Sequence, residues 1–173
     1  MSPESSAHST TASSPQASHA SAHASSHTTT PLSVPVVELP TDKELVLKVI
    51  PMPADCNANG DIFGGWVMAQ VDLAGSVVPA RHVDGRMATV AVNQFIFKQP
   101  VRVGDILSFF AEVTRIGNTS ITVQVEVYAE RFRSQKRYVK VTEASLTYVA
   151  IDDFGKPRKI VTAPLVPHTQ DTI

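Results

Sequence analysis

A single cysteine, Cys56, stands in the 173 residues. It excludes an internal disulfide and any zinc site built on several cysteines. No apolar run approaches the roughly 18 residues that cross a bilayer as a helix, so no membrane partner is expected. Excess positive charge is missing as well. The formal net charge is −1, which removes the electrostatic footprint of a general nucleic-acid binder. Lys and Arg are absent before Lys43. A secretory signal needs a basic stretch and an apolar one, and a mitochondrial transit peptide needs arginines. Their absence predicts a cytoplasmic location.

Residues 1–34 lack aromatic side chains and hold almost no large aliphatic ones. Such a segment buries too little apolar surface to offset the entropy of ordering, so it reads as a disordered Ser/His/Ala-rich tail. His8, His19, His23 and His27 lie in it at irregular spacing. Nothing there fixes a ligand geometry, so they read as a polar tail and no metal is expected. The folded domain is placed at 35–165, with a short C-terminal tail at 166–173. Hydrophobic residues make up 43% of the chain, enough for one real core. Beyond residue 42 there are 15 basic and 13 acidic residues, a balance of +2. That suits an anionic ligand without requiring one.

Glu44–Met52 alternates and reads as a first strand, ended by Pro51 and Pro53. Pro53–Gly65 is dense in Asn, Asp, Gly and Pro and reads as a loop. Gly64–His82 has helical character until Pro79 ends or kinks it. Four strands follow at Met87–Phe97, Ile106–Ile116, Ser120–Glu130 and Tyr138–Ile151, with turns at Gly104–Asp105 and Gly117–Asn118. Helices do not alternate with strands, so a doubly wound sheet is excluded and the class is α+β.

The helix is apolar at nearly every angle, and such a helix is buried on all sides. Five strands cover about half of it. The economical arrangement is a sheet curled around the helix with a second subunit closing the open side. Asp72 stands out on this helix. Its neighbours three and four residues away are Met68, Ala69, Gly75 and Ser76, none of them cationic. It is either a desolvated general base or nucleophile, or an interface or solvent-facing acid bonded to a neighbouring loop. Periodicity alone favours the second. The helix start, Gly64–Gly65, offers amides without internal partners at the positive end of the dipole, able to hold an oxyanion. An ordinary Gly-rich turn, capped by Asn59 or Asp61, fits there too.

Asn57–Gly75, Thr89–Asp105, Arg115–Val127 and Ser134–Asp152 resemble, in matching order, the motifs of hotdog-fold acyl-CoA thioesterases, the YciA-like branch above all. The resemblance covers about residues 43–165. It implies a hotdog fold, an antiparallel sheet of about five strands wrapped around one central helix. It implies hydrolysis of acyl-CoA to free acid and CoA, with no cofactor beyond the CoA of the substrate. Asp72 matches the family's catalytic carboxylate, working across a subunit interface opposite a partner's helix start, where the Gly65 amide polarises the thioester carbonyl. Asp61 stands where related two-hotdog thioesterases have Asn, and is taken with Asn59 as a second polar group for water or substrate. CoA contacts fall on Gly64, on Thr89, Val92 and Asn93 along one strand, on Lys98, and on the connection Arg115, Gly117, Asn118, Thr119 and Ser120. Asn118 replaces an Arg more usual in that branch; Arg115 or Lys98 would compensate. The assembly implied is a dimer or a trimer of dimers, a hexamer.

Cys56 has no histidine near it in sequence and reads as a spectator. The basic run Arg131, Arg133, Lys136 and Arg137 reads as the solvated tip of a hairpin rather than a phosphate clamp. Phe95, Phe97, Phe109 and Phe110 belong to the core or to an acyl tunnel. Two other function classes remain. One is a non-catalytic acyl-CoA-binding module. The other is an acyl-thioester hydratase, which needs a His with a carboxylate; beyond residue 34 only His82, just past the helix, and His168, in the C-terminal tail, exist, neither on the active helix.

Overall fold

The computed structural model describes residues 37–131 and 137–161. The expectations for 1–34, 166–173, His168, Arg133 and Lys136 lie outside them. The described elements are β1 (Glu44–Val49), α1 (Gly64–Val77), β2 (Met87–Phe97), β3 (Ile106–Ile116), β4 (Ser120–Glu130) and β5 (Tyr138–Ala150), with single 3-10 turns at Pro53–Asp55 and Pro79–Arg81. Three strands match the sequence reading to the residue. β1 ends three residues early, because Ile50 leaves the ladder before the prolines. The α-helix stops at Val77 ahead of Pro79, which opens a tighter turn instead of kinking a longer helix.

The strands form one antiparallel sheet in the order β1-β3-β4-β5-β2. Bulges in β1, β2, β3 and β5 bend the sheet around α1. The strict alternation of β4 sets the core: Ile121, Val123, Val125 and Val127 are all buried and point at the helix side. α1 answers with Val67, Val71, Ala74 and Gly75, one stripe at helical spacing.

The opposite stripe is bare in this single chain. Leu73 is 60% exposed and Met68 42%. The edge strand β2 beside it exposes Val90, Val92 and Phe97. The sequence reading leaves about half of the helix uncovered by the sheet, and the exposed stripe of Met68 and Leu73 is that half. One sheet can face only one stripe of a helix. Among the described residues no helix is long and apolar enough to cross a membrane.

Candidate active site

Asp72 lies on α1, half-buried between the two stripes. The Thr89 hydroxyl donates to its Oδ1 at 2.7 Å. The Tyr148 hydroxyl donates to its main-chain oxygen at 3.0 Å and lies 3.4 Å from the same Oδ1. Thr89 and Tyr148 face each other across the β2–β5 ladder, and a bulge begins directly after Thr89. Bulges re-aim side chains in this way beside functional sites. Among the described residues no cation pairs with Asp72 and no hydrogen bond reaches Oδ2. One oxygen is thus held and the other left free. Burial raises the Tyr148 ionisation well above its ordinary value, and the Asp72 charge raises it further, so this hydroxyl stays a donor.

The loop before α1 is organised by Asn57, whose Oδ1 accepts the amides of Asn59 at 2.8 Å and Asp61 at 3.3 Å. Among the described residues no side chain caps the helix start; Phe63 holds the cap position, so neither Asn59 nor Asp61 serves as the helix cap. The first amides of α1 consequently lack both an intrahelical partner and a side-chain one. A Cβ on Gly65 would meet nothing within 4 Å, whereas one on Gly64 would press the Phe97 ring at 3.1 Å. A cavity of about 350 Å³ opens here, lined by Asn57, Asp61, Gly64, Phe97 and Lys98 among others. Lys98 is engaged with Glu143 at 3.0 Å.

The Arg115–Ser120 connection sits elsewhere. Ile121, next to it, pairs with Tyr148, so this hairpin shares one end of the sheet with Asp72 and Thr89. Its Gly117 amide donates to Ser120 O at 2.8 Å, and the Asn118 and Thr119 carbonyls take the amides of Ile160 and Ala150. Arg115 and Asn118 stay exposed. Val92 and Asn93 continue along the exposed edge, where the Asn93 amide donates to Thr147 Oγ1 at 2.8 Å. The site residues therefore fall into two groups: Asp72, Thr89 and the hairpin at one end, and the helix start, Asp61 and Lys98 at the other.

A family model described as the thioesterase superfamily matches residues 59–134. The acyl-CoA thioester hydrolase YciA of Salmonella typhimurium is 46% identical over 120 residues, 68% of this chain and 90% of the relative. The chain belongs to the thioesterase superfamily. The hexameric thioesterase of Yersinia pestis superimposes with a TM-score of 0.67 at 44% identity, covering 72% of this chain and 100% of that one. The hexameric hotdog fold thioesterase of Campylobacter jejuni does so with 0.64 at 42%, covering 68% and 90%. The five-stranded sheet on one long helix is the hotdog fold of this superfamily.

Three functional candidates escaped the sequence reading. The loop sequence singles out Asn59 and Asp61 ahead of Asn57, although an Asn two residues before a loop amide is the usual side-chain turn-former. Tyr148 and Gly75 read as plain strand and helix positions. The core-facing phase of β5 combined with a glycine inside a helix would have pointed to them. The phenylalanines also separate. Phe109 is buried in the core, and Phe110 packs edge-on against Tyr128 with ring centroids 5.7 Å apart. Phe95 meets Phe97 at a tilt, with ring centroids 4.8 Å apart, and Phe97 lies against the helix start.

Proposed function

We propose that this chain hydrolyses acyl-CoA thioesters to the free acid and CoA, at a site completed by a second copy. The carrying observation is the Asp72 carboxylate, held by Thr89 through Oδ1 with Oδ2 free. Oδ2 takes a proton from a water molecule as the water oxygen adds to the thioester carbonyl carbon. Charge then develops on the carbonyl oxygen. The uncapped Gly65 amide of the neighbouring copy donates to it, with Asp61 and Asn59 beside it as polar groups that orient water or substrate. The carbon–sulfur bond breaks, and CoA leaves as a thiolate that regains a proton. A thiolate is a weak enough base to leave without a strong acid. Direct attack by Oδ2 would give a mixed anhydride instead, which hydroxylamine would trap.

Relatives support this reading: YciA is named an acyl-CoA thioester hydrolase. The Yersinia and Campylobacter thioesterases are hexameric, which supports a dimer, and a trimer of dimers built from it, for this chain. The bare stripe of α1 and the exposed β2 edge are the surfaces such a partner would cover. CoA enters only as part of the substrate, reaching the Arg115–Ser120 hairpin, Lys98 and the β2 edge, and the enzyme acts in the cytoplasm. A free-thiol assay across acyl-CoA chain lengths tests the assignment. Asp72→Asn should lose about two to four orders of magnitude in kcat. Wild-type turnover by that variant would overturn it.

A further inference from the structure

Glycine is unfavourable inside a helix, and Gly75 lies in the last turn of α1. Its reason is visible in space. A Cβ built there would come within 2.5 Å of the Tyr148 hydroxyl oxygen and 3.2 Å of Val125 Cγ2. Tyr148 is 2% exposed, so its ring has no other place to go. The missing side chain is the notch through which the hydroxyl reaches Asp72.

We propose that Tyr148 is a positioning residue for the Asp72 carboxylate, and that Gly75 exists to admit it. The inference rests on the reading of Asp72 as the group that activates water. An aspartate turns broadly about its last torsion, and one bond from Thr89 leaves that turn only partly restrained. Tyr148 shares its one hydroxyl proton between the main-chain oxygen of Asp72 at 3.0 Å and Oδ1 at 3.4 Å, so it fixes the backbone of that residue and adds a weaker second contact at Oδ1. Both hydroxyls meet the same oxygen, so they set the direction of Oδ2 without occupying it. Tyr148 touches no reacting atom. It acts by keeping the free oxygen aimed where a small misplacement costs rate steeply.

The test is steady-state kinetics of Tyr148→Phe, Gly75→Ala, the double variant and Asp72→Asn, with melting temperatures recorded at one protein concentration. Tyr148→Phe should lower kcat about tenfold and leave KM within about twofold. Gly75→Ala should do the same, because the hydroxyl must move aside. The double variant should be no slower than the worse single one, since both changes remove one interaction. A purely structural tyrosine would lower the melting temperature but not kcat per folded molecule. That result, or wild-type kcat for Tyr148→Phe while Asp72→Asn is inactive, overturns the positioning role alone. Full activity of Asp72→Asn would overturn the underlying assignment as well.

Discussion

Gly65 and Asp72 stand on one helix, seven residues apart, which at the α-helical rise separates them by about 10 Å. The proposed mechanism draws the amide and the carboxylate from two copies, each chain's Asp72 working opposite the other's Gly65.

Mixed assemblies expose this arrangement. Gly65→Pro removes the donor at a first-turn position that tolerates proline, and the space around it is open. Gly65→Pro and Asp72→Ala should each be inactive alone. Denatured together in equal amounts and refolded, they should recover about a quarter of wild-type activity, because half the dimers are mixed and each holds one intact site. Subunit exchange checked by mass spectrometry, with no recovered activity, would place both groups in one chain.

The strands were legible because β4 and β5 alternate buried and less buried positions along most of their length. The helix was legible as a helix, and its all-round apolar content already exceeded what one five-stranded sheet covers. Leu73 and Met68 stay exposed, and sequence alone does not say what covers them. Asp72 could be singled out by the lack of a nearby cation. Its partners could not, because Thr89 and Tyr148 lie 17 and 76 residues away and meet it only through β2–β5 register. Asn57 was hidden among three similar loop residues, where choosing the bonded one needs the backbone path.

A chain of alternating charges crosses the face of the sheet away from α1. Lys43 meets Glu112 at 2.9 Å and Glu126 at 2.8 Å, and Lys140 meets Glu126 at 3.0 Å and Glu143 at 2.9 Å. Burial alone would raise the Glu126 carboxyl, but hydrogen bonds from Lys43, Tyr128 and Lys140 outweigh it and hold it at about 2, against an ordinary 4.5. A depressed carboxylate stabilises the fold fully above its ordinary value, and that contribution drains as pH falls toward the folded one. Stability should thus drop by about 1–2 kcal/mol between pH 4.5 and 2 on account of this group, with solvent screening reducing the full effect. Glu126→Gln should flatten that limb and weaken the protein at pH 7, where Lys43 and Lys140 lose their shared acid. Urea midpoints across pH at fixed protein concentration measure both.

Thr142 is fully buried on β5, opposite Phe97 and Val127. Among the described residues its hydroxyl finds no hydrogen-bond partner. An unsatisfied buried hydroxyl costs about 1–3 kcal/mol. Thr142→Val keeps the shape and the strand preference while replacing the hydroxyl with a methyl. It should raise stability by about 1 kcal/mol, visible as a melting temperature a few degrees higher. A lower melting temperature would mean that the hydroxyl has a partner in solution.

Arg131 does not belong to a solvated hairpin tip, as its place in a basic run suggests. Its guanidinium meets Asp105 at 2.5 Å and donates to Pro100 O at 3.0 Å. The Asp105 side chain is only 3% accessible and also accepts the Arg102 amide at 2.9 Å, so it closes the turn before β3 from inside. Removing the cation leaves a buried carboxylate with one amide for company, and breaking such a pair costs about 3–5 kcal/mol. Arg131→Ala should therefore destabilise far more than an ordinary surface arginine change. Adding Asp105→Asn should win part of that back, because the amide is neutral and its oxygen still accepts from Arg102. Chemical denaturation of the two single variants and the double one supplies the cycle. Simple additivity of the two losses would show that the ion pair does not hold this turn.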